Sequence, residues 1–184
     1  MEEKVDVLNE FGEFTGKLAT KDECHEKGYW HRAVYGFIVN NKGEILLQLR
    51  SKNKKLWPMK WDVTVGGHVN AGEFGREALI RECKEELGID VSDDDIKFLI
   101  SSTSVTNLPG YINKHYDECY LIKKDVDISQ LKLQKEEVEE VRFFPPNKLL
   151  SMIKNDYKDL TRKTSSWGFL TRILENNKLY KNEL

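Results

Sequence analysis

The sequence predicts a layered α/β domain, and three observations carry the prediction. Short strand-like runs recur at residues 32–40, 44–50, 96–106, 115–122 and 138–144, bounded by Gly, Pro and Asn turns. Runs with helical spacing lie between and after them, including one from Glu77 that stops at Gly88. The chain has 184 residues, enough for one domain with a sizeable core and short for two. Strands flanked by helices in this mixture pack as layers around a shared apolar interior.

Taken in order, residues 4–19 alternate Val5 and Val7 with polar neighbours, turn near Gly12 and continue through Phe14 and Leu18, which predicts a hairpin. Residues 20–28 open with Thr20, carry Glu23 three positions later and close at Gly28, the signature of a short capped helix. The RAVYGFIVN and EILLQLR runs are joined by Asn40-Asn41-Lys42-Gly43, so they pair as strands. A loop over 51–61 contains Trp57-Pro58 and Trp61, and Trp61-Asp62-Val63-Thr64-Val65 then leads to Gly66. After the central helix come an acidic loop at 90–95, two strands around Asn107-Leu108-Pro109-Gly110, a polar connection and the VEEVRFF strand. The tail turns helical, with Leu149, Leu150 and Ile153 on one stripe and Trp167, Leu170, Ile173 and Leu174 on another, the second capped at Ser165 or Ser166.

Composition narrows the function classes. Hydrophobic residues make up 39% and charged residues 33%, as in ordinary globular proteins, and the net charge of −2 gives no broad basic field for nucleic acid. The Lys52, Lys54, Lys55 cluster is read as solvated, with phosphate binding as the alternative. Cys24, Cys83 and Cys119 have no metal-type spacing, and Cys83 reads as a small core residue. No apolar run is long enough to span a bilayer and no secretory signal opens the chain, so the expected compartment is the cytoplasm.

The residues between Gly67 and Ile89, GHVNAGEFGREALIRECKEELGI, carry the chemistry. On a helix Glu82, Glu85 and Glu86 share one arc, while Leu79, Cys83 and Leu87 form an adjacent stripe suited to burial. Three like charges on one side repel unless solvated or neutralised by a cation. The glycine-rich loop before the helix favours the cation, and hard ions such as Mg²⁺ prefer carboxylate oxygens and leave room for substrate phosphates.

This stretch resembles a complete Nudix box: Gly67, five residues, Glu73, seven residues, then Arg81-Glu82, Cys83, Glu85-Glu86, Gly88 and Ile89 in register. The resemblance implies a Nudix-type α/β/α sandwich with a mixed β-sheet and a loop-helix-loop metal motif. It implies hydrolysis of a nucleoside diphosphate linked to another moiety, or of a related organic diphosphate, with Mg²⁺ (or Mn²⁺) on Glu82, Glu85 and Glu86 and a backbone carbonyl near Gly66 or Gly67. It also implies a structural ion pair between Glu73 and Arg81. The expected organisation is a single domain over 1–184, with an N-terminal hairpin and helix at 4–30, a core at 31–144 and C-terminal helices at 145–184.

Outside the box, His31-Arg32-Ala33 and Leu56-Trp57-Pro58 with Trp61 resemble the branch related to isopentenyl-diphosphate isomerase. Those isomerases carry a catalytic cysteine just before the Gly-His of the box entry, where this chain has Gly66. Their second acid falls in the stretch His115 to Cys119, with Glu118 as the match taken here. Their box is degenerate in its metal carboxylates, whereas this one is complete. Hydrolysis is therefore favoured over the alternatives, a diphosphate isomerase and a non-catalytic Nudix-like ligand sensor. His25 and His31 lie near positions that hold a metal in the isomerases, and His68 follows the box glycine. Cys24 beside His25 permits a soft-metal site, but hydrogen bonding or packing is the simpler reading of these histidines. Trp57 and Trp61 are read as packing residues, with stacking on a ligand base as the alternative.

For the proposed hydrolysis the general base is Glu82 or Glu85 within the box, or Glu137 from the acidic run before the last strand. Arg32, Arg50 or Lys52 would hold the outer phosphate. The expected partner is a small diphosphate substrate, with no nucleic acid and no membrane, and a homodimer is left open.

Overall fold

The computed structural model describes residues 3–155, 157–161 and 165–175. Among the described residues, nine strands form a single mixed sheet, and one strand organises it. This strand, β3 (Trp30–Val39), runs parallel to β8 (Tyr111–Lys123) with Trp30 opposite Lys114 and Val39 opposite Lys123. It pairs antiparallel with β6 (Val65–His68) through Ala33 to Gly36, and with β4 (Ile45–Arg50) through Ile38 and Val39. Its start meets β1 (Lys4–Leu8), which forms the N-terminal hairpin with β2 (Phe14–Thr20). The far strand of the post-box hairpin, β7 (Ile96–Leu108), pairs with β8, while β9 (Val138–Phe144) and the two-residue β5 (Trp61–Asp62) pair with β4.

Alternation along β3 creates two cores. Val34 and Ile38 point to one face, where they pack with Leu46, Val65, Leu79, Cys83 and Leu87. Phe37 and Val39 point to the other, with Ile45, Leu47, Leu121, Leu149, Trp167 and Leu170. The first face is covered by α2 (Gly75–Leu87) and the second by α3 (Pro146–Asn155) and α4 (Ser165–Glu175). The result is the α/β/α sandwich with a mixed sheet that the Nudix resemblance implies. Leu79, Cys83 and Leu87, the expected buried stripe of α2, are fully buried.

The capped helix near the N-terminus is α1 (Lys21–Lys27): the Thr20 side chain accepts the Glu23 N–H, and Gly28 ends it in the left-handed conformation. Gly88 ends α2 in the same way, at φ 70°, with its N–H on the Lys84 carbonyl. The start of α2 lies two positions earlier than its helix-forming run, because the Glu77 carboxylate accepts the Phe74 N–H and closes the first turn. The two strands after the box extend further than their apolar pattern, meeting at a tight turn around Pro109-Gly110. The expected cap at Ser165 or Ser166 falls on side chains outside the described set. Among the described residues, no helix is long and apolar enough to cross a membrane.

Candidate metal and phosphate site

The box glutamates grade from buried to half-exposed along one side of α2. Glu86 is 4% exposed, and the side chains of Glu82 and Glu85 are 13% and 48% exposed. Burial, joined by the nearby Glu82 and Glu137 charges, pushes the Glu86 carboxyl well above the usual carboxylate range, with Lys54 opposing. Burial also raises Glu82, despite its contact with Arg81. Glu86 receives one long hydrogen bond, from Gln48 Nε2 at 3.4 Å, while Gln48 Oε1 has no hydrogen-bond partner although buried. Gly67 completes the same spot. A Cβ there would overlap the Glu82 carboxylate, so only glycine lets the strand backbone come this close to the box glutamate.

One guanidinium binds the loop to this helix. Arg81 Nε and Nη2 donate to the two oxygens of Glu73 at 3.0 Å each, Nη1 donates to Glu82 at 2.7 Å and Glu85 at 3.1 Å, and Nη2 also donates to the His68 carbonyl at 2.9 Å. Glu73 also accepts the Asn70 N–H. Burial alone would raise its pKa, but the Arg81 and Asn70 bonds prevail and lower it.

Cations flank the acidic group at the end of β4. Lys54 forms an ion pair with Glu137, and Arg50 pairs with Asp62 at 3.1 Å while its Nε and Nη2 donate to the Leu56 carbonyl. Lys52 is exposed on the following loop. Arg32 is placed differently: its Nη2 donates to Asp6 and to the Glu73 carbonyl, on the α2 side of β3. Trp61 packs edge-on against Phe144 in the second core, whereas Trp57 is partly exposed. Gln48 and Asp62 were not singled out from sequence. Gln48 carries a usable signal, as a lone polar side chain at a buried position of EILLQLR.

A second group of polar side chains lies on the opposite face of the strands. His31 on β3 is directly opposite His115 on β8, and His68 on β6 is opposite Ala33, so strand pairing brings three imidazoles together. The short helix α1 places His25 over them, 4.8 Å from the Tyr111 ring and 5.3 Å from His31 between centroids. One ring nitrogen of each histidine lies within 4.8 Å of those of the other three, and all four Nε2 atoms are buried without a hydrogen-bond partner. Burial and the neighbouring His31 lower His25 to about 4, and burial drives His68 and His115 well below the ordinary histidine range. The histidines pack against one another, and His31 Nδ1 faces the Tyr29 carbonyl at 2.9 Å, while among the described residues the four Nε2 atoms converge without a hydrogen-bond partner. Cys24 faces the other way, into a small core with Val5, Val7 and Ala19.

The residues of β8 divide between the two faces of the sheet. His115 and Asp117 point to the histidine face, where His115 Nδ1 is 3.5 Å from Asp117 Oδ1. Glu118, the residue matched from sequence, points to the α2 face, where its carboxylate lies against Gly75 and accepts the Tyr120 hydroxyl. Side-chain alternation in β8 thus puts Asp117, and not Glu118, on the face of His115. Gly66 is pressed by Tyr35, whose ring carbon would be 2.9 Å from an added Cβ.

The chain matches the NUDIX domain family model over residues 29–164. It is 40% identical over 149 residues to an uncharacterized Nudix hydrolase, lin0387, of Listeria innocua, covering 80% of this chain and 82% of that protein. Nudix hydrolase 3 of Arabidopsis thaliana is 38% identical over 149 residues, but these are 78% of this chain and only 19% of the plant protein's length. An Escherichia coli isopentenyl-diphosphate Delta-isomerase is 37% identical over 90 residues, covering 49% of this chain and 50% of the isomerase. The crystal structure of DR0079 from Deinococcus radiodurans superposes with a TM-score of 0.68 at 25% identity, covering 92% of this chain and 98% of that one. With the box, the sandwich and these relatives in agreement, the chain belongs to the NUDIX domain family.

Proposed function

We propose that this protein is a metal-dependent hydrolase of the diphosphate linkage in a nucleoside diphosphate derivative or related organic diphosphate. The observation that carries the reading is the group formed by Glu82, Glu86, Gln48 and the Gly67 backbone. It combines buried carboxylates of raised pKa, an unpartnered amide oxygen and a strand glycine with no room for a side chain. An all-oxygen set of this kind fits Mg²⁺ or Mn²⁺, held by Glu82, Glu85, Glu86 and the Gly67 carbonyl. When bound, such an ion supplies charge neutralisation at phosphate oxygens and a more acidic water.

The protein's own groups do the remaining work in this reading. Arg81 fixes the box glutamates relative to the strand carbonyls, so the oxygen donors are positioned before substrate arrives. Glu137 is the preferred proton acceptor for the attacking water, because its charge reaches Glu86 and Lys54 holds its carboxylate in place. Glu82 and Glu85 are the alternative bases, although both already accept from Arg81. Lys52 and Arg50 supply positive charge for the outer phosphate. Arg32, which donates to Asp6 and the Glu73 carbonyl as Arg50 does to Asp62 and the Leu56 carbonyl, is the third candidate for that charge.

The isomerase alternative is disfavoured by Gly66, which has neither a proton-transferring group nor the space for one beside Tyr35. A panel of diphosphate compounds incubated with Mg²⁺ tests the proposal by phosphorus NMR. Metal-dependent loss of the diphosphate signal is expected, and no cleavage of any compound would refute it.

A further inference from the structure

We propose that the protein pairs with a second copy of itself along the outer edge of β7, joining two sheets into one. The inference concerns a sheet edge rather than the box, and it does not depend on the hydrolase reading.

Among the described residues β7 pairs with β8 alone, so its other side is open. A bulge interrupts the pairing between Phe98 and Ile100, and from Ile100 to Leu108 the register is unbroken. Pro109 and Gly110 form a two-residue turn, which makes Leu108 and Tyr111 a hydrogen-bonded pair. Counting back from Leu108 by alternation, the N–H and C=O groups of Asn107, Val105, Thr103 and Ser101 point away from β8. Among the described residues, the backbone bonds made outside the regular pairings include none at these four positions. Such a row of unpaired groups is a template for another strand, and proteins ordinarily guard it with Lys, Pro or a bulge.

The other long edges are guarded. Among the described residues β2 pairs only with β1, and it carries Lys17 and, at φ 82°, Gly16. In the same way β9 pairs only with β4 and carries Glu139, Glu140 and Arg142. By contrast, residues 98–108, FLISSTSVTNL, hold no charged residue and no Pro.

The missing charge is also what selects a second copy as the occupant. Two identical strands paired about a twofold axis set like residues near like, so any charge in the run would repel itself. The outward-facing set from Ser101 to Asn107 is centred on Ser104, and an axis there uses all four members. Ser101 then bonds to Asn107 of the other copy and Thr103 to Val105, while Ser104 meets itself and Ile100 meets Leu108. Cross-strand pairs of β-branched and apolar residues of this kind are favourable. Pairing also covers Val105, an apolar side chain 57% exposed between polar neighbours.

The test uses full-length protein in sedimentation-velocity runs, where a dimer should form across the micromolar range. Val105→Lys, a change at an exposed side chain, should weaken association by about tenfold or more and leave the circular dichroism spectrum unchanged. Ser104→Cys reads the register. About the proposed axis this position forms a non-hydrogen-bonded pair with itself, with Cα atoms about 4.5 Å apart, within the range a disulfide spans. Mild oxidation should link that variant as a dimer, but neither Thr103→Cys nor wild type, whose three cysteines are buried. A chain that stays monomeric at all concentrations, or a dimer that Val105→Lys leaves intact, would overturn the interface. Cross-linking of Thr103→Cys in preference to Ser104→Cys would overturn the pairing about Ser104.

Discussion

Arg81 and Glu73 meet through two parallel hydrogen bonds of 3.0 Å, one to each carboxylate oxygen, across the bend that joins the strand to the box helix. The pair is partly buried, and the same guanidinium also holds Glu82, Glu85 and the His68 carbonyl. Arg81→Ala should therefore lower stability and activity together, with a stability loss of roughly 3 kcal/mol, the low end for deleting one partner of a buried pair. Arg81→Lys should rescue the charge but not the two-point geometry, and so recover only part of either. Denaturant unfolding of the two variants checks this, and an unchanged midpoint for Arg81→Ala would rule out the anchoring role.

Glu86 gives a prediction in which stability and function move in opposite directions. Its carboxyl is raised by burial, so in the metal-free protein the folded state keeps the proton where the unfolded chain has lost it. The stabilisation is complete below the unfolded value of about 4.3 and fades as pH rises toward the raised folded value. Metal-free Glu86→Gln should therefore exceed wild type in stability at pH 8 and lose this advantage toward pH 4. Its turnover with Mg²⁺ should fall by about a hundredfold or more, as expected for loss of a metal ligand. Urea unfolding with chelator at several pH values, beside the rate measurement, tests both halves.

Glu137→Gln separates the proton acceptor from the metal carboxylates. Loss of a general base typically costs about 10²–10⁴-fold in rate. The variant should lose this from kcat and leave KM and Mg²⁺ affinity near wild type. A full-rate Glu137→Gln enzyme would move the role to Glu82 or Glu85.

Gly66 should tolerate no side chain without a cost. A methyl group there meets Tyr35, and overpacking of this kind destabilises by about 1–3 kcal/mol. Gly66→Ala should lower the melting temperature accordingly. Wild-type protein given isopentenyl diphosphate and Mg²⁺ in deuterated water should incorporate no deuterium, because no proton donor stands at position 66. Deuterium uptake with dimethylallyl diphosphate formation would reinstate the isomerase.

Local chemistry made much of the fold legible. The Thr20 cap, the Gly28 and Gly88 stops, and the Leu79, Cys83, Leu87 stripe depend on neighbours within one or two turns, and a sequence displays those directly. The box glutamates could be read for the same reason. The histidine cluster could not, because His31 and His115 are joined by parallel pairing of β3 with β8, a register that no local pattern encodes. The face on which Glu118 lies was illegible for a related reason. A one-residue shift along a strand moves a side chain to the other face, and only the β3–β8 register settles which residue faces Gly66 and Tyr35.

The central claim is that the box carboxylates direct water at phosphorus to break a diphosphate linkage. It is tested most directly by running the reaction of a cleaved diphosphate compound in ¹⁸O-water with Mg²⁺ and weighing the products. The account predicts ¹⁸O in a phosphate-containing product, no cleavage with chelator, and loss of label incorporation in Glu82→Gln and Glu86→Gln. Cleavage that persists in Glu86→Gln or in chelator, or that places the label on carbon, would contradict it.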